Sequence, residues 1–595
     1  MLTQQLIVII ILIATIMLFI FDILRVDLVA ILCMLSLGWS GILEPLEAIS
    51  GFSSNAVIAM IAVMVIGSGI YKTGIMEKFS RWIIKIVSGN KRKLIVLVSL
   101  SVGLISAFIQ NIGAAALFLP VIIIIAKKEN YHPSELIMPM GFAAILGGTL
   151  TMVASGPLII LNDFLRSAGL EPYNLFSVTP VGLLLLLTGI LYFYFLGPYV
   201  LPKRDVKAVK PEQEMLIESW QLPNQVRHYY ITEKSPLVGK TPEAAGIWEK
   251  YQLNILALSM EKDIEYAPWR ETHFKPGQKL ALLGNEERVK EFAVFYNLQL
   301  IEKSDIFPDF QNPQKAGFAE SIIPPRSEFV GKTIRQLAIR KNYHIEPIMI
   351  FSQGKAVRGN FSDRTLVAGD ILIFHGLWKN INHLKETGQI IVLTSIKTES
   401  EKKGKSFLAI ACFAAGIGLA LAGYPLSIAL LTSAVVMVLT GVLNIEEFYQ
   451  AIDWKVVFLI AGLIPLGIAM EKTGTAAFLA EKLMFIMQGK HPVLIIFSIA
   501  LISTLFSLFM SNVASTVVLV PLIINLSVLI NMDARPLVLL VAVCAANSFI
   551  LPTHQVNAML ITAGSYENSD YLKAGGIMTF LFLVVVTFVF YFFYF

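Results

Sequence analysis

The sequence predicts a polytopic α-helical membrane protein: an inverted repeat of five transmembrane helices plus one re-entrant hairpin per half, with inserted soluble α+β tandem domains. Three observations predict this fold class. The 595 residues are 56 % hydrophobic and only 15 % charged, whereas roughly a quarter of the residues of soluble proteins are charged. A polar middle block separates two apolar stretches, and these two stretches resemble each other. The composition excludes an ordinary soluble domain, a disordered chain and a disulfide-rich scaffold.

Composition also places the domain boundaries. The first membrane repeat is predicted over 1–202 and the second over 406–595. Between them, 203–312 and 313–405 are predicted to be two soluble domains. The formal net charge is +5, and in membrane proteins an excess of Lys and Arg usually marks cytoplasmic loops.

The two apolar stretches repeat each other in register. FIQNIGAAALFLP in the first stretch resembles FMSNVASTVVLVP in the second, and Asn512 follows Asn111 by 401 residues. Ser507 follows Ser106 by the same 401 residues. Internal repeats with interrupted hydrophobic segments at matching positions indicate a secondary transporter.

Each repeat is predicted to contain a re-entrant hairpin, over about 94–126 and about 492–527. Basic residues flank the first hairpin at 92–93 and at 127–128, so both of its ends are expected on the cytoplasmic side. Two arms of about 15 residues would reach only ~22 Å, which is short of the ~30 Å hydrocarbon core. The alternative is one long tilted helix, which would put the two basic clusters on opposite sides.

Each half is then expected to cross the membrane five times, which inverts the second copy. Both termini would be extracytoplasmic and the soluble insert cytoplasmic. Segments 76–88 and 476–487 mix charged and apolar residues and are expected to be interfacial helices. The crossing helices are expected near 5–24, 27–43, 54–72, 134–166 and 178–201, and near 406–422, 425–443, 454–471, 535–565 and 575–595.

The tips of the predicted hairpins are polar, and polar groups in the middle of a membrane are costly unless they bind something. Ser106 stands four residues before Gln110, and Ser507 stands four before Ser511. Each hydroxyl is therefore expected on the helical face of a tip side chain. Hydroxyl and amide oxygens suit a small cation there, and the free N–H groups of a broken helix suit an anion.

Two further helix breaks are predicted after the hairpins. Gly and Pro residues within 147–157 are expected to unwind the first helix and to expose its carbonyls. The second break covers 552–557, where His554, Gln555 and Asn557 cluster inside an apolar stretch. The alternative for each is a kink that packs against neighbouring helices.

The membrane halves carry very few acidic residues far from their ends, and Asp163 and Asp453 are expected at the interface. A proton antiporter that relies on a buried carboxylate pair would need central Asp or Glu. The sequence therefore favours sodium coupling through neutral oxygens, with an anion as the substrate.

The insert is itself duplicated. SPLVGKT at Gly239 recurs as SEFVGKT at Gly331, and the same 92 residues separate Gly277 from Gly369. Each copy alternates β-rich runs (NILALSM and KLALLG; IEPIMIF and ILIFHG) with a small helix such as TIRQLAIRK. This alternation predicts two compact α+β modules.

The membrane halves resemble the divalent anion:sodium symporter (DASS) family of the ion-transporter superfamily. The resemblance rests on Gln110-Asn111-Ile112 and Ser511-Asn512-Val513, where the family carries Ser-Asn-Thr, and on the run IDWKVVFLIAGLIPLGIAMEKTG. It implies a homodimer that works by an elevator-type motion. It also implies one sodium site at Ser106, Gln110, Asn111 and the backbone near Ala154, and another at Ser507, Ser511, Asn512 and the backbone near Pro552-Thr553.

The same resemblance implies a substrate between the two tips. The tip threonines that help dicarboxylate carriers of the family are absent here, and members with a cytoplasmic insert are commonly linked to sulfate. Sulfate is therefore the first expectation. The candidate substrate contacts are Gln110, Asn111, Ser155, Ser511, Asn512, Thr553, His554, Gln555 and Asn557.

The insert resembles two tandem TrkA-C (RCK-C) domains, which implies a small regulatory ligand such as cyclic di-AMP or another nucleotide. Together these features predict a cell-membrane symporter of sodium and a divalent anion. Alternatives are a sodium-coupled di- or tricarboxylate transporter, a cation/proton antiporter and a non-transporting anion sensor. Neither an enzyme activity nor a nucleic-acid partner is expected, since Ser-His-Asp, HExxH and P-loop arrangements are absent from the sequence.

Overall fold

The computed structural model divides the chain into two compact units. The helical unit combines Met1–Lys207 with Glu401–Phe595, and the insert unit is Ala208–Ser400. The residues that the structure describes are 2–21, 23–75, 90–129, 131–204, 212–223, 225–260, 263–301, 307–310, 312, 315–352, 355–358, 361–394, 404–552 and 554–595.

The first stretch of the helical unit is helical along most of its described length. Polar caps begin two of its helices, because Ser54 Oγ accepts the N–H of Val57 and Asn90 Oδ1 accepts the N–H of Lys93, each at 3.2 Å. The helix expected near 134–166 is two helices, which confirms the first predicted break. The helices are α1 (Leu2–Ile20), α2 (Val26–Trp39), α3 (Pro45–Ile49), α4 (Asn55–Lys72), α5 (Lys91–Ser106), α6 (Asn111–Lys128), α7 (Ser134–Gly147), α8 (Gly156–Ser167) and α9 (Thr179–Val200).

The insert unit contains two antiparallel sheets of five strands each. In the first sheet the strand order is β3-β2-β4-β1-β5, and in the second it is β8-β7-β9-β6-β10. The elements of the first part are α10 (Glu212–Ser219), β1 (Gln225–Ile231), α11 (Ile247–Tyr251), β2 (Asn254–Met260), β3 (Asp263–Tyr266), β4 (Lys279–Gly284), α12 (Glu286–Phe295) and β5 (Leu298–Leu300). Those of the second are β6 (Ala316–Ile322), α13 (Ile334–Leu337), α14 (Ile339–Tyr343), β7 (Glu346–Ser352), β8 (Lys355–Val357), β9 (Ile371–Leu377), α15 (Trp378–Glu386) and β10 (Ile391–Val392).

The two sheets have the same topology, since each order becomes the other when strand numbers are shifted by five. The register shift in the pairing of β2 with β4 lies between Ile255 and Ala257, and that of β7 with β9 lies 92 residues later, between Pro347 and Met349. One expectation was wrong in detail: TIRQLAIRK forms two short helices, because Ala338 adopts a left-handed conformation with φ +47°.

Glycines occupy the matching turns of both modules. Gly239 and Gly331 have φ values of +79° and +83°, and Gly277 and Gly369 have +84° and +87°. L-residues rarely adopt this region, whereas glycine does so without a steric penalty. The shared 92-residue spacing therefore reflects two turns that each module must make.

Acidification is expected to destabilise the insert unit through His375. His375 lies among the rings of Phe310 and Phe318, and burial lowers its pKa from 6.5 to about 4. The unfolded chain binds this proton more readily, so stability is lost as the pH falls from 6.5 towards 4, by up to about 3 kcal/mol. Thermal unfolding of the intact protein at pH 7.5 and 5.0 measures this effect. His375→Phe should reduce the difference between the two unfolding temperatures. His344→Asn, at an exposed histidine, is the control and should leave that difference unchanged. An unchanged pH dependence in His375→Phe contradicts the prediction.

The second stretch of the helical unit repeats the helix order of the first. Its helices are α16 (Ser406–Leu421), α17 (Leu426–Leu439), α18 (Ile445–Gln450), α19 (Trp454–Lys472), α20 (Thr475–Met487), α21 (Pro492–Phe509), α22 (Asn512–Leu529), α23 (Ala534–Cys544), α24 (Gln555–Ala563) and α25 (Asn568–Phe593). The segment 476–487 is thus helical as expected, while its counterpart 76–88 lies outside the described residues. The second predicted break is also present, but it begins earlier than expected, after Cys544.

Helices of the two stretches pack reciprocally. Helix α2 packs on α19, and their counterparts α17 and α4 pack on each other in the same way. Helix α8 packs on α22, and their counterparts α24 and α6 are likewise in contact. Two repeats that are related by a common axis make reciprocal contacts of this kind. The inversion of one repeat across a membrane stays a prediction.

The second hairpin folds back on itself. Ser515 Oγ, early in α22, donates to Ser503 O, late in α21, at 3.4 Å. These residues would be ~18 Å apart if the two helices continued in one line. The alternative of one long tilted helix is therefore wrong for this segment. In the first hairpin, α5 and α6 both pack on α7.

The hairpin arms are longer than expected. Helix α5 has 16 residues and α6, α21 and α22 have 18 each, so the arms reach ~24–27 Å. The estimate was made on the first hairpin, where it ended the arms at the last apolar residues and left out the basic residues at both outer ends of α5 and α6. Seven of the described helical segments are long and apolar enough to cross a membrane, and α21 and α22 are two of them. The ten-crossing arrangement stays a prediction, since α2, α16 and α17 have only 14 to 16 residues.

Candidate functional site

The tip of the first hairpin brings three oxygen atoms together. Helix α5 ends at Ser106 and α6 begins at Asn111. Ser106 Oγ lies 3.0 Å from Asn111 Oδ1 and 2.6 Å from Ala144 O. A hydroxyl has one hydrogen to donate, so it can satisfy only one of these two acceptors. Ala144 O also accepts the backbone N–H of Gly148 at 3.2 Å, so the tip gathers three oxygen atoms around one hydroxyl group.

The second tip repeats this arrangement. Ser507 Oγ lies 2.9 Å from Asn512 Oδ1 and 2.5 Å from Ala545 O. All three residues follow their counterparts by 401 positions. Ser511 Oγ caps α22 by accepting the N–H of Ala514 at 3.1 Å, whereas its counterpart Gln110 instead directs Nε2 to Met60 Sδ at 3.3 Å.

The two helix breaks lie beside the two tips. In the first break, Thr151 Oγ1 donates to Ala107 O, the first carbonyl after α5. In the second, Ser548 Oγ donates to Asn512 Oδ1 at 3.2 Å. Neither Thr151 nor Ser548 was identified from the sequence. The available signal was their polarity within otherwise apolar runs.

One cavity of about 170 Å³ joins both tips and both breaks. It collects residues that are as far as 495 positions apart in the sequence, from Met60 to Gln555. None of the described residues that line it is Asp, Glu, Lys or Arg. The lining residues are Met60, Gln110, Asn111, Ile112, Ala154, Ser155, Gly156, Pro157, Val456, Leu459, Ser507, Met510, Ser511, Asn512, Val513, His554 and Gln555.

Four helices begin at this cavity. Asn111 is the first residue of α6, Gly156 of α8, Asn512 of α22 and Gln555 of α24, and all four line the cavity. The first N–H groups of a helix lack partners within the helix, and the N-terminus carries a partial positive charge. The cavity therefore offers a positive environment for an anion without any cationic side chain.

Most of the predicted site residues line the cavity, and three lie elsewhere. Ser106 is fully buried behind Asn111. Asn557 is also fully buried, and its Nδ2 donates to Ser548 O at 2.8 Å. Pro552 belongs to the second break but does not line the cavity. The predicted contact Thr553 lies outside the described residues.

His554 has a defined orientation at the start of α24. Its Nδ1 accepts the N–H of Val556 at 3.2 Å. The proton of the neutral imidazole is then on Nε2, which is a donor. His554 is thus able to donate a hydrogen bond to an acceptor in the cavity.

A second cavity, of about 300 Å³, lies between the two modules of the insert unit. Trp248, Trp269 and Phe361 form aromatic parts of its wall. The Arg270 guanidinium lies 5.1 Å from the centroid of the Trp269 ring, and its buried Nε and Nη1 have no hydrogen-bond acceptor among the residues that the structure describes. Arg340 is already bound, because its Nε and Nη2 donate to Glu346 at 2.7 and 2.8 Å.

Comparison with known proteins identifies relatives over most of the chain and others over about half of it. A sequence model of the family described as Citrate transporter matches residues 16–546. The uncharacterized transporter YfbS of Escherichia coli (strain K12) is 28 % identical over 585 residues, which is 94 % of each chain. An uncharacterized transporter of Synechocystis sp. is 28 % identical over 577 residues, 94 % of this chain and 92 % of that protein. Sodium/sulfate cotransporter 1 of Chlamydomonas reinhardtii is 20 % identical over 351 residues, 55 % of this chain and 38 % of that protein.

Proposed function

Because this chain belongs to the citrate transporter family, we propose that it is a secondary active transporter that couples sodium symport to the movement of a divalent anion, with sulfate as the first candidate. The observation that carries the proposal is the meeting of four helix N-termini at one cavity whose described lining has no Asp, Glu, Lys or Arg. Each helix N-terminus stabilises a doubly negative solute through its partial positive charge. Because the lining has no cationic side chain, the charge of the solute is balanced by cations that are transported with it.

The oxygen clusters at the tips support the cation part of the proposal. Asn111 and Asn512 each line the cavity and also belong to a cluster of oxygen atoms at a hairpin tip. Neutral oxygens near broken helices are the usual sodium ligands of secondary transporters. We propose Ser106, Gln110, Asn111 and Ala154 for one sodium ion, and Ser507, Ser511, Asn512 and Pro552 for the other.

The substrate contacts stay as expected from the sequence. We propose that Gln110, Asn111, Ser155, Ser511, Asn512, His554 and Gln555 contact the anion, with Thr553 and Asn557 as further candidates. His554 Nε2 and the helix N-terminal N–H groups are donors that suit sulfate oxygens. The similarity to sodium/sulfate cotransporter 1 of Chlamydomonas reinhardtii supports sulfate.

A carboxylate substrate is the second candidate. The description of the matching family names citrate. Side-chain donors and helix N-termini bind carboxylates as readily as sulfate, so the geometry of the cavity suits both classes. Substrate competition is therefore the deciding measurement.

Uptake into proteoliposomes tests the proposed function. Purified protein should accumulate labelled sulfate when an inward sodium gradient is applied, and not when potassium replaces sodium. Excess unlabelled citrate or succinate should leave this uptake largely intact. Strong inhibition of sulfate uptake by citrate or succinate would indicate that the substrate is a carboxylate. Uptake of sulfate in the absence of sodium would contradict the proposed sodium coupling.

Two other classes give different results in the same vesicles. A cation/proton antiporter would change the internal pH when a sodium gradient is applied, which a pH-sensitive dye reports. A non-transporting sensor would bind sulfate tightly and give no flux. Asp163 Oδ2 accepts the N–H of Ala56 at 2.9 Å at the start of α4, so it serves a structural bond, and this supports symport over antiport.

We also propose the arrangement of the protein in the cell membrane. The expected topology has a cytoplasmic insert and extracytoplasmic termini, and the expected assembly is a homodimer with elevator-type motion. These proposals follow from the resemblance to the divalent anion:sodium symporters. The reciprocal packing of the two stretches supports the repeat on which they depend.

For the insert, we propose a nucleotide as the regulatory ligand of two TrkA-C-like modules, cyclic di-AMP or another nucleotide. The aromatic walls of the 300 Å³ cavity suit a base, and the Nε–H and Nη1–H groups of Arg270, which find no acceptor among the described residues, suit a phosphate. Ligand pockets commonly measure about 300–1,000 Å³.

Arg270→Ala is expected to weaken nucleotide binding about tenfold or more, because an Arg–phosphate contact is lost. A thermal-shift titration of the intact protein with cyclic di-AMP and with mononucleotides checks this. Arg227→Ala is the matched control, since that arginine pairs with Glu286 at 3.2 Å on the surface of the same unit. Equal shifts in wild type and Arg270→Ala would place the ligand elsewhere.

A further inference from the structure

We infer that the two cation clusters are unequal, and that the second-half cluster is the tighter sodium site because Ser548 supplies an additional oxygen. The inference rests on the sodium coupling proposed above. It concerns residues that the internal repeat does not share, namely Ser548, Asn547 and the buried side of Asn557.

Ser548 enlarges the second cluster to four oxygens. Its Oγ lies 2.9 Å from Ser507 Oγ and 3.2 Å from Asn512 Oδ1. Ser507 Oγ is in turn 2.5 Å from Ala545 O. The two hydroxyls supply two hydrogens to this cluster, and each oxygen carries lone pairs. A small hard cation is the ligand that several close oxygens accommodate best.

The first cluster cannot gain the same oxygen. The counterpart of Ser548, 401 residues earlier, is Gly147. A Cβ on Gly147 would lie 2.2 Å from Gly103 O, which is a backbone atom. Close packing of α5 against α7 therefore excludes any side chain there, and the first cluster keeps three oxygens.

Two buried amides add an independent observation. Asn547 and Asn557 are fully buried, and Oδ1 of each has no hydrogen-bond donor among the described residues. Their Nδ2 atoms are used: Asn547 donates to Thr504 Oγ1 at 3.2 Å and Asn557 to Ser548 O at 2.8 Å. A buried acceptor without a donor is unfavourable. Asn547 precedes Ser548 in the chain and Asn557 donates to its carbonyl, so acceptors without a described donor belong to the residues next to this cluster.

The counterparts in the first half carry no such groups. Leu146 stands where the second half has Asn547, and Gly103 stands where it has Thr504. The first half has its own extra hydroxyls, since Thr149 and Thr151 stand where the second half has Ile550 and Pro552, but Thr151 Oγ1 donates to Ala107 O and Thr149 Oγ1 to Leu146 O. A cation that enters the second-half site is held by more oxygens and loses less on leaving water, so this site should fill at the lower sodium concentration.

Equilibrium binding of labelled sodium to the purified, intact protein tests the inference without a transport assay. The wild type should show two classes of site. Ser548→Ala should weaken the tighter class about tenfold or more, the scale on which altering the surroundings of a metal changes its affinity, and leave the weaker class unchanged. Ser106→Ala should affect only the weaker class.

Ser503→Ala is the matched control, because its hydroxyl donates to Val541 O at 2.8 Å one turn before Ser507 and is equally buried. It should bind sodium as the wild type does. The midpoint of thermal unfolding without sodium shows whether each variant folds. If Ser548 has only a structural role, Ser548→Ala should lower this unfolding midpoint and leave the sodium concentration at half-saturation unchanged. If folded Ser548→Ala binds sodium at the tighter class of site with the affinity of the wild type, the inference is wrong and the proposed sodium coupling still stands. Absence of sodium binding by the wild type overturns the proposed coupling as well.

Discussion

Asn111→Ala and Asn512→Ala should each reduce sodium-dependent sulfate uptake about 100-fold or more. Each side chain lines the cavity and also belongs to an oxygen cluster, so its loss removes a cation contact and a substrate contact together. One contact with a charged group is worth about 1.5–3 kcal/mol, and 1.4 kcal/mol corresponds to tenfold in affinity. Initial rates of labelled uptake into proteoliposomes, at matched protein content, measure the effect.

Asn525→Ala provides the control for these two variants. Asn525 lies on the same helix as Asn512, and its Nδ2 donates to Pro521 O at 2.9 Å within that helix. Removing its amide should leave uptake close to that of the wild type. Retention of more than half of the uptake by Asn111→Ala and Asn512→Ala would show that the tips are not the transport site.

Gly575→Ala should prevent the helical unit from folding stably. A Cβ on Gly575 would lie 1.9 Å from Phe549 O, so α25 rests directly on the backbone of the second break. Overpacking costs typically about 1–3 kcal/mol and more when rigid groups collide. We expect a several-fold lower yield of monodisperse protein and a lower midpoint of thermal unfolding, with the break beside Ser548 the first part to be displaced.

The neighbouring glycine is a control with the same chemistry. A Cβ on Gly576 would meet no described atom within 4 Å. Gly576→Ala should therefore fold normally, with a slight gain in stability, because alanine is favoured over glycine inside a helix by about 1 kcal/mol. Equal behaviour of Gly575→Ala and Gly576→Ala would mean that α25 does not press on the second break.

Much of the candidate site could be predicted because it depends on the internal register of the sequence. The 401-residue spacing identified Ser106 with Ser507 and Asn111 with Asn512, and the structure places each pair in the same local geometry. The breaks were predictable for a different reason, since they combine glycine or proline with a cluster of polar residues, whereas isolated prolines such as Pro120 and Pro521 lie inside helices. The start of the second break was not, because Ala545 and its neighbours have no such signal.

Other members of the site depend on contacts between distant segments. Met60 reaches Gln110 from α4, and Thr151 bonds the carbonyl of Ala107. Nothing in the local sequence of these residues distinguishes them from other Met and Thr residues in apolar helices. Their roles follow only from which helices pack together.

By itself, the sequence determined the membrane class, the duplicated insert and the matched polar tips, because composition, glycine spacing and internal register are properties of the chain. Only the tertiary structure decided that four helix N-termini share one cavity and that Ser548 joins the second oxygen cluster. The physical reason is close packing. The contact of Gly147 with Gly103 excludes a side chain from one half, whereas in the other half the hydroxyl of Ser548 reaches Ser507 Oγ at 2.9 Å.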